Sequence, residues 1–162
     1  MTSPGNPAQA GALEAIFIAP TAKAPVQSVE AVRAVPGRGL EGDRYWKGEG
    51  AFSRWPGPLR EVTLIDADAL AAAEAEFGVH LSAGEHRRNL VVRGVPLAEW
   101  KKQVFTVGAV RLCGVRVCAP CKYLVRVTGQ EAIFDALVRR GGLRAEVLTE
   151  GTLRVGDAVR PV

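Results

Sequence analysis

The chain has 162 residues, 48% of them hydrophobic, and a net charge of +4 from 21 Lys and Arg against 17 Asp and Glu. That length suits one domain, since single cores commonly run to about 100–200 residues, and it can bury a core without disulfides or a structural metal. No run of like charges suggests a nucleic-acid arm, and no apolar stretch approaches the roughly 18 residues that span a membrane. The excess charge points instead to a small anionic ligand, with neither nucleic acid nor membrane as partner.

Residues Met1 to about Ala12 are rich in Ser, Pro, Gly and Ala and are expected to form a flexible tail, leaving 13–162 as the domain. The start lacks the basic and apolar parts of a signal peptide. Three cysteines make no disulfide framework, so a cytoplasmic location is expected. Leu13 to Ala19 is a first strand, closed by Pro20, and the valines of Pro25 to Val35 favour extended structure. Arg60 to Ile65 is a further strand. Asp66 can cap a helix over Ala67 to Phe77 by accepting from its free amides, and Gly78 can end it.

Leu90 to Arg93, Val104 to Val107, Val110 to Val117 and Tyr123 to Val127 are expected as strands. Thr128-Gly-Gln-Glu131 has the capping-box spacing before a second helix over Ile133 to Leu137. Leu143 to Leu148 and Leu153 to Val159 are expected to close as a hairpin. Seven to nine short strands with two helices predict a mainly β fold, a closed barrel with two or so peripheral α-helices, because closure removes exposed strand edges.

Three motifs carry chemistry. Gly37-Arg-Gly39-Leu-Glu-Gly42 has the dinucleotide-fingerprint spacing, but no helical pattern follows to hold a pyrophosphate, so the glycines are turn formers. Cys118-Ala-Pro-Cys121 lacks the two further ligands of a structural zinc, since Cys113, His80 and His86 form no knuckle. Pro120 and its β-branched surroundings also do not suit the helix start that a thioredoxin-like pair needs. Two buried structural thiols would explain the motif. A reactive thiolate at Cys121 explains it better, because Lys122, Arg116 and Arg126 lie nearby and positive charge stabilises a thiolate. Such a thiolate is a soft ligand suited to molybdenum or to a carried sulfur, whereas Cys113 is expected in the core. Glu85-His-Arg-Arg-Asn89 is either a solvated loop with a surface His86 or an anion clamp, Arg offering a planar fork to phosphate oxygens.

Five segments, PVQSV (25–29), GLEGDRYW (39–46), RRNLVVRGVPL (87–97), VRVCAPCKYL (115–124) and GTLRVGDAV (151–159), together resemble the MOSC family, named after the C-terminal part of molybdenum cofactor sulfurase. The resemblance is nearest to small bacterial stand-alone members. It implies a MOSC-type β-barrel and a molybdenum–pterin cofactor, with Cys121 as metal ligand or sulfur carrier. Arg87 and Asn89 match an Arg-x-Asn element that contacts the pterin. Arg44 and Ser28 match residues near the cofactor's phosphate. Gln27 stands where those relatives have lysine and Ala119 where they have serine. The N-terminal subdomain that often covers the cofactor is not expected in a chain of this length.

Three functions follow from the resemblance. The first is a molybdenum-dependent reductase of N-hydroxylated or N-oxide compounds, which needs an electron-donor protein. The second is a sulfur carrier taking a persulfide on Cys121 from a pyridoxal-phosphate-dependent cysteine desulfurase, the pyridoxal phosphate (PLP) belonging to that partner alone. The third is a non-catalytic module that holds the cofactor.

Overall fold

The structure, a computed structural model, describes residues 10–21, 24–46, 61–81, 84–118, 122–138 and 140–162. Alternation of apolar and polar side chains sets its first strand, β1 (Gly11–Ile18), in which Leu13 and Ile16 are fully buried while Ala12 and Glu14 are exposed. A register shift between Leu13 and Ala15 accounts for the odd spacing of the two buried residues. The strand starts at Gly11, so the expected tail to Ala12 runs two residues too far, and residues 1–9 lie outside the described ones.

After β1 come β2 (Gln27–Val29), β3 (Ala31–Val35), β4 (Gly39–Leu40) and β5 (Val62–Asp66). The helix α1 (Ala67–Phe77) begins as expected, with the Asp66 carboxylate accepting from the Asp68 N–H at 2.8 Å, and ends at a left-handed Gly78. Then follow β6 (Leu90–Arg93), a 3-10 turn at Leu97–Trp100, β7 (Val104–Val107), β8 (Val110–Val117), α2 (Lys122–Thr128), α3 (Ile133–Leu137), β9 (Leu143–Val147), β10 (Gly151–Arg154) and β11 (Ala158–Pro161). Among the described residues the count is eleven strands and three α-helices, more of both than expected.

Seven strands close a barrel in the order β11-β7-β8-β9-β5-β6-β1, with Gly11 opposite Val159 and Ala12 opposite Ala158. Further along, the same edge of β1 pairs with β2. All these pairs are antiparallel except β5 and β6, which run parallel because α1 carries the chain back between them. A smaller sheet, β10-β3-β4, stands beside the barrel. The buried Glu61 joins the two, its carboxylate accepting from Gly37 N–H at 2.8 Å and Val147 N–H at 3.4 Å. Leu13, Ile16, Leu64, Leu90, Phe105, Leu112 and Leu143 belong to the main core, and a second core lies between Ile65, Val91 and the helices.

Three expectations are corrected. Tyr123 to Val127 is helical rather than a strand, because Leu124 and Val125 pack into the second core and tertiary burial outweighs β-propensity. Thr128 caps no following helix: its hydroxyl donates back to the Leu124 carbonyl at 2.7 Å, and α3 starts without a side-chain cap. The expected closing hairpin does not form. β9 lies between β5 and β8, β10 joins β3, and β11 closes the barrel.

Gly142 is the tightest point of this packing, with φ +106 and a would-be Cβ 1.9 Å from the Leu64 carbonyl oxygen. Gly142→Ala is therefore expected to cost at least about 3 kcal/mol of stability, read as a lower denaturation midpoint.

Candidate functional site

One register row on the outer face of the barrel organises the site. Arg116 of β8 pairs with Arg144 of β9, and Arg144 with Thr63 of β5. Asn89, immediately before β6, bonds to Thr63 and to Phe17 of β1, and Phe17 pairs with Ser28 of β2. The row one residue over, Leu143, Leu64, Leu90 and Ile16, fills the core. Alternation therefore turns the polar row outward.

Asn89 holds this row together. Its side-chain oxygen accepts from the Thr63 N–H at 3.0 Å and the Thr63 hydroxyl at 3.1 Å, while its amide nitrogen donates to the Phe17 carbonyl at 3.1 Å. Its backbone carbonyl also receives the Phe17 N–H at 2.7 Å. Among the described residues this uses one of its two side-chain amide hydrogens.

The turn before Asn89 is built around a left-handed arginine. Arg87 has φ 59, which a non-glycine residue rarely adopts, and its N–H donates to the Gly84 carbonyl at 2.8 Å. Its guanidinium donates to the Ala24 carbonyl at 3.0 Å, just ahead of β2. His86, expected on the surface, is 2% exposed and stands edge-on to the Phe17 ring. Its Nδ1 accepts from the Arg88 N–H at 2.9 Å. Burial, reinforced by the Arg88 charge, lowers its pKa to about 4, so the ring is neutral at neutral pH.

Arg88 is buried as well. Its Nε donates to the Gly141 carbonyl at 2.8 Å and its Nη1 to the His86 carbonyl at 3.2 Å. The Gly141–Gly142 turn in turn touches the cysteine segment. Cys118 N–H donates to the Gly142 carbonyl at 2.7 Å, and a Cβ on Gly141 would lie 2.2 Å from the Cys118 carbonyl oxygen.

The glycine loop brings in the fourth expected residue. Gly37, Gly39 and Gly42 all have positive φ and are turn formers, as the sequence suggests. Beyond them the buried Asp43 accepts from the Ala19 N–H at 2.9 Å, and Arg44 N–H donates to the Ala19 carbonyl at 2.7 Å. The Arg44 guanidinium lies 3.4 Å from Asp43 and over the Tyr45 ring.

Ser28, Arg44, Arg87 and Asn89 thus gather about the last residues of β1 and the entry to β2. Cys121 lies outside the described residues, as do Ala119 and Pro120. Cys118 is buried and Cys113 only half-buried in β8, its thiol pushed up by burial and by Glu146. Beside Val117 and Gly142 a cavity of about 230 Å³ opens, lined also by Asp66, Leu97 and Arg140. Among the described residues no three His, Cys, Asp or Glu cluster as a metal site, and no helix is long and apolar enough to cross a membrane. The sequence reading missed the inward roles of His86, Arg88, Asp43 and Glu61. The one available signal was phase, since Arg88 and His86 continue backward the even positions of buried Leu90.

A closed seven-strand barrel, with an arginine-rich turn at one strand entry and a cysteine segment after another strand, defines the class. The MOSC domain model matches residues 54–160, and the chain belongs to that family. It is similar to the solved structure of the YuaD protein of Bacillus subtilis, at TM-score 0.78 and 18% identity, covering 92% of this chain and 93% of that one. It is also similar to YiiM of Geobacillus stearothermophilus, at TM-score 0.69 and 14% identity, covering 94% and 75%. YiiM of Escherichia coli gives 0.64 and 17%, covering 93% and 70%. At these identities the likeness is one of fold. No curated protein matches the chain.

His86 gives the fold a pH signature. Between its ordinary value of 6.5 and about 4, the unfolded chain binds a proton that the folded chain does not. Stability is therefore expected to fall by as much as about 3 kcal/mol as pH drops through that window. Urea melts across it should show a steeper loss for wild type than for His86→Phe. Glu61 and Asp66, whose pKa values burial raises, act with the opposite sign and cancel in that difference.

Proposed function

We propose that this chain binds the molybdenum–pterin cofactor and reduces N-hydroxylated or N-oxide compounds. Ser28, Arg44, Arg87 and Asn89 hold the cofactor's pterin and phosphate, and Cys121 is the metal ligand. The observation that carries the reading is the gathering of those four residues, distant in sequence, about one end of β1. Their chemistry fits an anionic heterocycle. Two guanidinium groups offer forks to phosphate oxygens, and a serine hydroxyl and an amide hydrogen offer weaker donors.

When bound, the cofactor supplies the redox chemistry, and the protein supplies binding, orientation and charge. Arg87 and Arg44 balance the phosphate charge at the rim. The neutral His86 and the buried Arg88 lie behind the Arg87 turn. Electrons come from a separate donor protein. Cys121 enters on the sequence and the family, its thiolate favoured by Lys122, Arg116 and Arg126.

Protein purified from a host that makes the cofactor is expected to carry molybdenum and to release an oxidised-pterin fluorophore. Cys121→Ser should lose molybdenum by at least about tenfold, while Cys113→Ser keeps it. Unchanged molybdenum in the Cys121 variant would overturn the reading. One added sulfur on Cys121 after incubation with a desulfurase and cysteine, with no molybdenum on wild type, would replace it with sulfur carriage.

A further inference from the structure

Arg88 is a charge buried at 7% exposure between two loops distant in sequence. Burying a guanidinium is costly unless its donors are occupied. Here Nε goes to the Gly141 carbonyl on one side and Nη1 to the His86 carbonyl on the other. Its own N–H is fixed by the His86 ring, in the local side-chain-to-backbone geometry that Asn and Asp use two residues ahead of a turn amide. Between His86 and Arg88 sits Arg87, the residue of this turn with positive φ that is not glycine. A left-handed arginine persists only where its surroundings over-determine it.

We propose that His86 and Arg88 form a clasp that locks the Arg87 turn onto the Gly141–Gly142 turn, and so fixes the distance between the Arg87 turn and Cys118. The two are positioning residues. The path is continuous: the His86 ring holds the Arg88 N–H, the Arg88 Nε holds the Gly141 carbonyl, Gly141 abuts the Cys118 carbonyl, and Gly142 accepts the Cys118 N–H. Arg suits this role because it keeps its charge and presents Nε and Nη1 in a rigid plane. A lysine in its place has one flexible nitrogen for both carbonyls. The neutral His86 is equally specific, since a protonated ring would turn Nδ1 from acceptor to donor against the Arg88 N–H. The statement about cofactor geometry rests on the proposed function; the coupling between the two turns does not.

The test compares wild type with Arg88→Lys, His86→Phe and His86→Asn. His86→Phe keeps a ring against Phe17 but removes the acceptor. His86→Asn keeps the acceptor and gives up the ring. Two quantities are measured at a temperature where each variant is folded by circular dichroism. The first is the rate of maleimide labelling of Cys118, resolved by peptide mass spectrometry in apo protein. The second is pterin released per chain after production in a cofactor-making host.

Arg88→Lys and His86→Phe are expected to label Cys118 at least about tenfold faster than wild type and to lose pterin by a similar factor. His86→Asn is expected to stay near wild type in both. Wild-type Cys118 protection in Arg88→Lys overturns the clasp, whatever happens to pterin. If Arg88→Lys does not fold, the histidine pair decides, and equal labelling in the Asn and Phe variants overturns it. Should wild type itself carry no pterin, the proposed function fails, and Cys118 labelling alone still judges the clasp.

Discussion

The side-chain amide of Asn89 is the constraint on which the site depends. At the entry to β6 three strands must be brought into one register, yet β5 runs parallel to β6 and β1 runs against both. Asn89 bonds to Thr63 on one side and Phe17 on the other with side chain and backbone together. A residue with the same size but no amide would leave the part-buried Thr63 N–H and Phe17 carbonyl without these partners. From this anchor, the Arg87 turn hangs on one end and the polar outer row extends on the other. Arg87, held in an unusual backbone conformation, is thus followed two residues on by the asparagine that fixes the frame beneath it.

Much of the local structure was legible because its causes are local. Asp66 and Gly78 bracket α1 by capping chemistry that involves only neighbouring residues. The glycines at 37, 39 and 42 declare turns through their backbone freedom, and the buried alternation of β1 declares a strand. What the chain order concealed was pairing. Leu143 to Val159 reads as a hairpin by spacing, but β9 goes between β5 and β8, β10 to β3 in the small sheet, and β11 between β7 and β1, none of which chain order reveals. The segment after Cys121 misled through its valines, because the helix α2 is held by Leu124 and Val125 packing rather than by intrinsic preference. His86 and Arg88 misled for a related reason. Polar residues in a charged run suggest solvent, and here their partners lie across the fold.

Of the candidate site, the described residues named from the sequence lie about β1 and β2, and the structure behind them was not legible. Ser28, Arg44, Arg87 and Asn89 were named from the family resemblance, and each touches or pairs with the region about β1 and β2. The groups behind them, His86, Arg88 and Asp43, bind mainly backbone atoms. Backbone leaves no mark in a sequence, so residues whose role is to hold carbonyls and amides are hard to see before the fold is known.

The closing rung of the barrel joins Gly11 to Val159, near opposite ends of the sequence. Five of the seven barrel strands lie within the matched family segment, β11 runs one residue past its end, and β1 precedes it. As the chain is synthesised, β1 can pair early with β2 along one end of one edge, but its other edge waits for β6 and its closing rung for β11, the slow order expected of long-range pairing. Phe17 and Ala19, which receive Asn89 and Arg44, sit on or just past that same strand. The frame about Asn89 therefore needs β1, β5 and β6 in place, at the far end of β1 from the rung that closes the barrel.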